Sequence, residues 1–122
     1  MDTRWNEFLS NFKSPEFKAG STLFLDRDGV INFRIPGSYV TKVELLQMIP
    51  ESIEGLLLLK PYFEFTYIIT NQQGLSSGKL SKHELEFVHL HLRQVFSEVG
   101  LKINDIFICG DLDHLESYCR KP

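Results

Sequence analysis

Three short apolar segments, at residues 22–25, 65–70 and 105–109, alternate with amphipathic stretches along this chain of 122 residues. The segments are apolar throughout, which is typical of buried strands in a parallel sheet and differs from the alternating pattern of a half-exposed strand. The stretches between them, residues 51–60 and 81–99, carry the apolar spacing of helices. Together they predict an α/β fold in which right-handed crossovers join parallel strands.

A separate helical extension is expected at residues 1–20, ahead of the α/β domain at residues 21–122. Within it, apolar residues recur at the spacing of one helical face until Ser14-Pro15 ends the pattern. These residues are Trp5, Phe8, Leu9 and Phe12. We expect this helix to pack on the domain.

The charge balance and hydropathy of the chain exclude two classes of partner. Thirteen Lys and Arg residues against sixteen Asp and Glu residues give a net charge of -3, which has the wrong sign for attraction to a phosphate backbone. The longest apolar run, residues 55–59, is far shorter than the roughly 20 residues that span a bilayer. We therefore expect a protein that binds neither nucleic acid nor a membrane.

The two cysteines, Cys109 and Cys119, are too few for a disulfide framework and are expected to be free thiols. Free thiols suit a reducing compartment. The first twenty residues also lack the apolar core of a secretory signal. These two observations predict a cytoplasmic location.

The first apolar segment ends in two carboxylates, Asp26 and Asp28. Two carboxylates at one strand end can take different roles, because their environments can differ. One can stay ionised and act as a nucleophile, while the other donates and accepts a proton. They also suit Mg²⁺, which prefers oxygen ligands. An Asp-x-Asp-Gly sequence is a common turn as well, so a purely structural role stays open.

The second and third segments end in a hydroxyl and in two cations. Thr70 could donate a hydrogen bond to a phosphoryl group near Asp26, since neighbouring parallel strands end at the same edge of a sheet. Arg120 and Lys121 could neutralise phosphate charge. Taken singly, Thr70 could be a turn residue and the basic pair a solvated chain end.

Taken in order, these three motifs resemble the first three motifs of the haloacid dehalogenase superfamily of phosphohydrolases. The resemblance covers residues 22–122 and is closest to the branch of histidinol-phosphate and heptose-bisphosphate phosphatases. It rests on residues 24–32, 37–40, 69–72 with Gly78-Lys79, and the Cys-Arg-Lys-Pro sequence at 119–122. It implies a Rossmann-like parallel sheet with helices on both faces, without a cap domain and without the C-terminal strands of that fold.

The resemblance also implies a role for each site residue. Asp26 would be the nucleophile that forms an aspartyl-phosphate, and Asp28 would protonate the leaving oxygen and later activate water. Thr70 and Lys121 would stabilise charge on the transferring phosphoryl group. The substrate pocket would be lined by Asn71, Gln72, Gln73 and the loop from Arg34 to Tyr39, and Arg120 would help to recognise the substrate. Mg²⁺ would be held by Asp26 and Asp28.

The expected activity is therefore Mg²⁺-dependent hydrolysis of a small phosphorylated metabolite, either histidinol phosphate or a sugar phosphate. The acidic motif that follows a fourth strand in this family, and completes its Mg²⁺ site, has no counterpart before residue 122. Asp111 and Asp113 precede Lys121, whereas the family order places those acidic residues after it. This departure favours an alternative, an inactive remnant that binds a phosphorylated ligand or a protein partner. A phospho-accepting receiver domain is a weaker alternative.

Relatives in this branch often hold a structural Zn²⁺ just before the Cys-Arg-Lys-Pro motif. The candidate ligands here are Cys109, His114 and Cys119, and a closed zinc site takes four, so Zn²⁺ is not expected. The remaining histidines, His83, His89 and His91, are expected on the surface of a helix.

The missing strands also bear on assembly. In the superfamily the first strand is central in the sheet, so residues 22–25 would form an uncovered apolar edge here. An unpaired edge strand tends to be covered by another chain. We therefore expect the chain to form a homo-oligomer through this edge or to require its missing segment in trans.

Overall fold

The computed structural model describes Glu7, residues 20–111, Cys119 and Lys121. The extension at residues 1–20 lies outside the described residues, apart from Glu7 and Gly20. His114, Arg120 and Asp113 also lie outside them.

Three parallel strands form one sheet in the order β1-β2-β3. The strands are β1 (Thr22–Leu25), β2 (Phe65–Asn71) and β3 (Asp105–Cys109). Leu25 is paired in register with Ile68, and Thr70 with Ile108. The predicted strands are confirmed, with the second extended by one residue to Asn71. The carboxyl ends of β1 and β2 consequently lie side by side, which brings the first two polar motifs together.

Two long helices form the crossovers, as the sequence predicts. They are α1 (Pro50–Leu59) and, after the short helix α2 (Gly74–Ser77), α3 (Lys82–Glu98). A capping box starts α3: Ser81 Oγ accepts from the Glu84 amide at 3.1 Å, and Glu84 Oε1 accepts from the Ser81 amide at 2.8 Å. In the part of the chain that the structure describes, no helix is both long enough and apolar enough to cross a membrane.

Both long helices pack on the same face of the sheet. Leu56 of α1 and Leu92 and Phe96 of α3 belong to one buried cluster with Ile68 of β2. The two crossovers step in the same direction along the sheet, and right-handed connections then place both helices on one side. Burial of each such side chain stabilises the fold by about 1.5–3 kcal/mol.

The opposite face of the sheet carries a row of aromatic side chains. The Tyr67 ring lies between Phe24 and Phe107, with ring centroids 5.8 and 5.6 Å away. Phe24 is 60% exposed and Phe107 is 50% exposed. Among the described residues, helices therefore cover one of the two faces on which they were expected. In this part of the chain β1 pairs with β2 alone, so its other edge is unpaired.

We predict that the chain self-associates through this aromatic row and the open edge of β1, because exposed apolar surface and unpaired strand edges favour association. Phe24→Lys should lower the apparent mass in sedimentation velocity at high micromolar concentration. Phe87→Lys is the matched control, since Phe87 of α3 is 65% exposed and lies outside the row. A wild-type chain that sediments as a monomer would contradict the prediction.

Candidate functional site

A polar cleft of about 540 Å³ opens at the carboxyl ends of β1 and β2. It gathers eight of the predicted site residues: Asp26, Asp28, Arg34, Tyr39, Asn71, Gln72, Gln73 and Lys121. Ser38, which belongs to the predicted pocket loop at residues 34–39, also lines it, as do Arg27 and Lys79, which were not predicted as site residues. Lys79 belongs to the Gly78-Lys79 segment, which is one of the segments that carry the family resemblance. That segment was the available signal that Lys79 lies at the site. Arg120 lies outside the described residues.

Asp26 forms an ion pair across the cleft with Lys121. Its Oδ1 accepts a hydrogen bond from Lys121 Nζ at 2.7 Å and another from the Arg27 amide at 2.9 Å. The Asp26 side chain is 47% exposed and that of Lys121 is 30% exposed. The first and third motifs, 95 residues apart in sequence, thus meet at a site open to solvent.

Asn71 holds the backbone of Lys121 in place. Its Oδ1 accepts from the Lys121 amide and its Nδ2 donates to the Lys121 carbonyl, both at 3.1 Å. This paired contact ties the segment that carries Lys121 to the end of β2. Asn71 was predicted to line the substrate pocket, and it also positions the ammonium group that faces Asp26.

Asp28 lies deeper and is held by several donors. Oδ1 accepts from Arg27 Nη2 at 2.8 Å, from Arg27 Nε at 3.3 Å and from Asn32 Nδ2 at 3.0 Å. Oδ2 accepts from Gln72 Nε2 at 2.8 Å. Burial alone would raise the pKa of Asp28. The charge of Arg27 and the hydrogen bonds from Asn32, Arg27 and Gln72 outweigh burial and hold the pKa below its ordinary value of 3.8.

Thr70 does not reach the wall of the cleft. Its side chain is buried, and its Oγ1 accepts from Gln72 Nε2 at 2.9 Å. The same amide nitrogen donates to Asp28 Oδ2, so Gln72 links the end of β2 to the loop after β1. In this arrangement Thr70 supports Asp28 through Gln72, and its predicted contact with a phosphoryl group stays a prediction.

Arg27 is fully buried and touches His89 of α3. Arg27 Nη1 lies 3.0 Å from His89 Nε2, and His89 is 6% exposed. Burial, followed by the charge of Arg27, lowers the pKa of His89 to about 4, even though Asp28 acts in the opposite direction. The expectation that His89 lies on the helix surface is wrong, because its side chain satisfies this buried guanidinium.

The donor set at Asp26 fits a hard cation. An exposed carboxylate and the backbone carbonyl of Asp28 are the kinds of oxygen that Mg²⁺ binds, with water completing its shell. The donors described above already engage both oxygens of the Asp28 carboxylate, which leaves the backbone carbonyl as the ligand that this residue would offer.

Cys109 and Cys119 form a disulfide bond. The prediction that they are free thiols is therefore wrong. Cys109 lies at the end of β3, and Lys121, two residues after Cys119, is hydrogen-bonded to Asn71 at the neighbouring end of β2. Asp111 lies beside the two sulfurs, and the three side chains could approach one metal ion if the thiols were reduced. The cytoplasmic location rested partly on free thiols and stays a prediction.

No family model matches the chain, but individual proteins do. It is 33% identical over 100 residues to D-glycero-alpha-D-manno-heptose-1,7-bisphosphate 7-phosphatase of Mycobacterium tuberculosis, a match that covers 82% of this chain and 53% of that protein. It is 31% identical over 102 residues to the histidine biosynthesis bifunctional protein HisB of Campylobacter jejuni, covering 82% of this chain and 29% of HisB.

A solved structure agrees with these sequence matches. D,D-heptose 1.7-bisphosphate phosphatase from B. bronchiseptica, complexed with magnesium and phosphate, superposes with a TM-score of 0.74 at 26% identity. The match covers 82% of this chain and 55% of that one. The chain thus spans about half the length of the heptose bisphosphate phosphatases that it matches.

A parallel sheet with an acidic and basic cleft at its carboxyl edge is an α/β domain whose ligand site lies where open sheets of this class place it. The chain is a homologue of the heptose bisphosphate phosphatases and of HisB, in agreement with the resemblance seen in the sequence, and it shares the fold of a solved heptose bisphosphate phosphatase.

We predict that Gln72→Leu raises the pKa of Asp28, because a hydrogen bond that favours the carboxylate is lost. Carboxyl ¹³C titration by NMR measures the pKa directly. Since the pKa of Asp28 is lowered, the stability that it contributes is present above its unfolded value of about 3.9 and is lost as pH falls through the folded value. Tyr39→Phe, which alters another lining residue, should leave the pKa unchanged. An unchanged pKa in Gln72→Leu would contradict the assigned contact.

Proposed function

We propose that the chain carries the catalytic residues of a phosphatase that hydrolyses a small phosphomonoester through a phosphorylated Asp26. The observation that carries this proposal is the charge of the cleft. Three cationic side chains (Arg34, Lys79 and Lys121) line it with two carboxylates, and a fourth cation, Arg27, is buried behind Asp28, although the whole chain has a net charge of -3. An excess of positive charge around an exposed carboxylate favours a phosphate ester dianion and stabilises the charge that develops as the phosphoryl group is transferred.

The reaction proceeds in two displacements. A carboxylate oxygen of Asp26 attacks phosphorus, the bond to the substrate oxygen breaks, and Asp28 gives a proton to the departing alkoxide. Water then attacks the phosphorus of phospho-Asp26 while Asp28 takes a proton from it, and this releases phosphate and restores Asp26. Lys121 Nζ, held 2.7 Å from Asp26, stabilises the oxygens of the transferring group.

The Asp26 carboxylate and the Asp28 carbonyl would hold Mg²⁺, whose charge lowers the repulsion between a carboxylate and a phosphate. The proposed substrate is histidinol phosphate or a sugar phosphate such as a heptose bisphosphate. This range follows from the relatives, one of which is named for its 7-phosphatase activity on heptose 1,7-bisphosphate. Arg34 and Tyr39 of the loop after β1 line the cleft, which supports assigning them to the part of the substrate beyond the phosphate.

A second candidate function is binding of a phosphorylated ligand without turnover. Asp28 favours it, because a lowered pKa leaves this carboxyl without the proton that the first displacement requires. The two candidates differ in one measurable species, the phosphoenzyme.

We predict that Asp26→Asn abolishes labelling of the chain by radiolabelled acetyl phosphate, because an amide cannot attack phosphorus. Acetyl phosphate suits this test, since acetate is a good leaving group and needs no acid. Asp105→Asn, which alters an exposed carboxylate of β3 away from the cleft, is the control and should label like the wild type. Label retained by Asp26→Asn would refute the nucleophile. Phosphate binding without any labelled protein would establish the binding function instead.

We also predict weak Mg²⁺ binding, in roughly the millimolar range, because one available carboxylate and a carbonyl supply little charge. Isothermal calorimetry on the chain measures the affinity, and Asp26→Asn should remove the signal while Asp105→Asn keeps it. Micromolar affinity in the wild type would mean that another acidic ligand, such as Asp111, takes part.

A further inference from the structure

His89 is a buried titratable side chain that the proposed chemistry does not use. It projects from α3 so that its Nε2 lies 3.0 Å from Nη1 of the fully buried Arg27. A guanidinium group has five donors and no acceptor. Nε2 must therefore accept this hydrogen bond, which places the ring proton on Nδ1 and leaves the ring neutral.

The same guanidinium holds Asp28 through its other nitrogens. Nη2 and Nε of Arg27 donate to Asp28 Oδ1 at 2.8 and 3.3 Å. His89, Arg27 and Asp28 thus form a continuous hydrogen-bonded line from α3 to the cleft. The orientation of the guanidinium plane is fixed at both ends of this line.

A neutral acceptor is better suited to this position than the alternatives. An apolar side chain at residue 89 would leave a buried guanidinium N–H without a partner, which is costly. A carboxylate would compete with Asp28 for the positive charge of Arg27. Histidine satisfies the donor and leaves the whole charge of Arg27 available to Asp28.

We propose that His89 is a positioning residue: by accepting from Arg27 it fixes the guanidinium, and through the guanidinium it fixes the carboxylate of Asp28 at the cleft. The importance of this orientation rests on the proposed function, in which Asp28 handles the proton in both displacements. His89 itself touches neither the cleft nor the reacting atoms.

NMR of the uniformly ¹⁵N-labelled chain tests the contact without any turnover. Long-range ¹H–¹⁵N spectra should show His89 with its proton on Nδ1, and a proton on Nε2 would overturn the proposal. His89→Leu should speed the exchange of the Arg27 Nη1 protons, observed at low temperature, by about tenfold or more, because Nη1 loses one hydrogen bond of a charged group. His89→Gln, whose amide oxygen can accept, should restore slow exchange.

Val88→Ala is the matched control, because Val88 is a fully buried neighbour in α3 and its truncation removes packing without removing an acceptor. Equal acceleration in Val88→Ala and His89→Leu would show that His89 acts through packing alone and would overturn the proposal. If His89→Leu does not fold, the tautomer in the wild type and the exchange rate in His89→Gln still decide it: fast exchange in His89→Gln counts against it.

The lifetime of the phosphoenzyme formed from acetyl phosphate tests the consequence for Asp28. His89→Leu should lengthen it, because a displaced Asp28 activates water poorly, and His89→Gln should restore it. Equal lifetimes in all three chains would overturn the role in catalysis. If no chain is labelled, the proposed function fails, while the tautomer and the exchange rates still decide whether His89 positions Arg27.

Discussion

The buried charge of Arg27 is the interaction on which the site depends. A guanidinium with no exposed surface is tolerated only when its donors are satisfied and its charge is paired. Asp28 supplies the charge and His89 supplies an uncharged acceptor, so the loop after β1 is joined to the middle of α3. Removing one partner from such a buried pair costs about 3–5 kcal/mol. The position of the cleft on the sheet is therefore tied to the stability of the fold.

The second long-range link is the pairing of Asn71 with the backbone of Lys121. A lysine on a returning segment has many rotamers and would be a diffuse charge if its backbone were free. The paired amide contacts fix the backbone, and the Cys109–Cys119 disulfide closes the same loop two residues earlier. Asp26 then meets a cation whose position is set by β2 and β3 instead of by the ion pair itself. Exposed ion pairs contribute little on their own, which makes this support necessary.

The sequence predicts the fold well, because the spacing of apolar residues and the residues that begin or end an element are local signals. Unbroken apolar segments end where β1 and β3 end, and Ser81 and Glu84 mark the start of α3. It also predicts most of the residues of the cleft, since the carboxyl ends of parallel strands lie at the same edge of the sheet. The helical spacing held a signal that His89 is buried, because it lies four residues after Leu85 and three before Leu92. What the spacing could not predict is its partner, Arg27, which is 62 residues away in sequence. The disulfide was missed for a similar reason, since two cysteines reveal nothing about how near the loop brings them.

The environments of the two carboxylates explain how one cleft could run both halves of the proposed reaction. Asp26 is half exposed beside an ammonium group, whereas Asp28 is enclosed by donors that keep it ionised. An ionised Asp28 is ready to take a proton from water, so hydrolysis of phospho-Asp26 suits the arrangement as it stands. The first displacement needs Asp28 to gain a proton and give up part of a charged hydrogen-bond set, whose members contribute about 1.5–3 kcal/mol each. A phosphate dianion arriving beside Asp26 opposes the charge on Asp28 and raises its pKa. The substrate itself would thereby convert Asp28 from base to acid, and its departure as phosphate would return Asp28 to the ionised state.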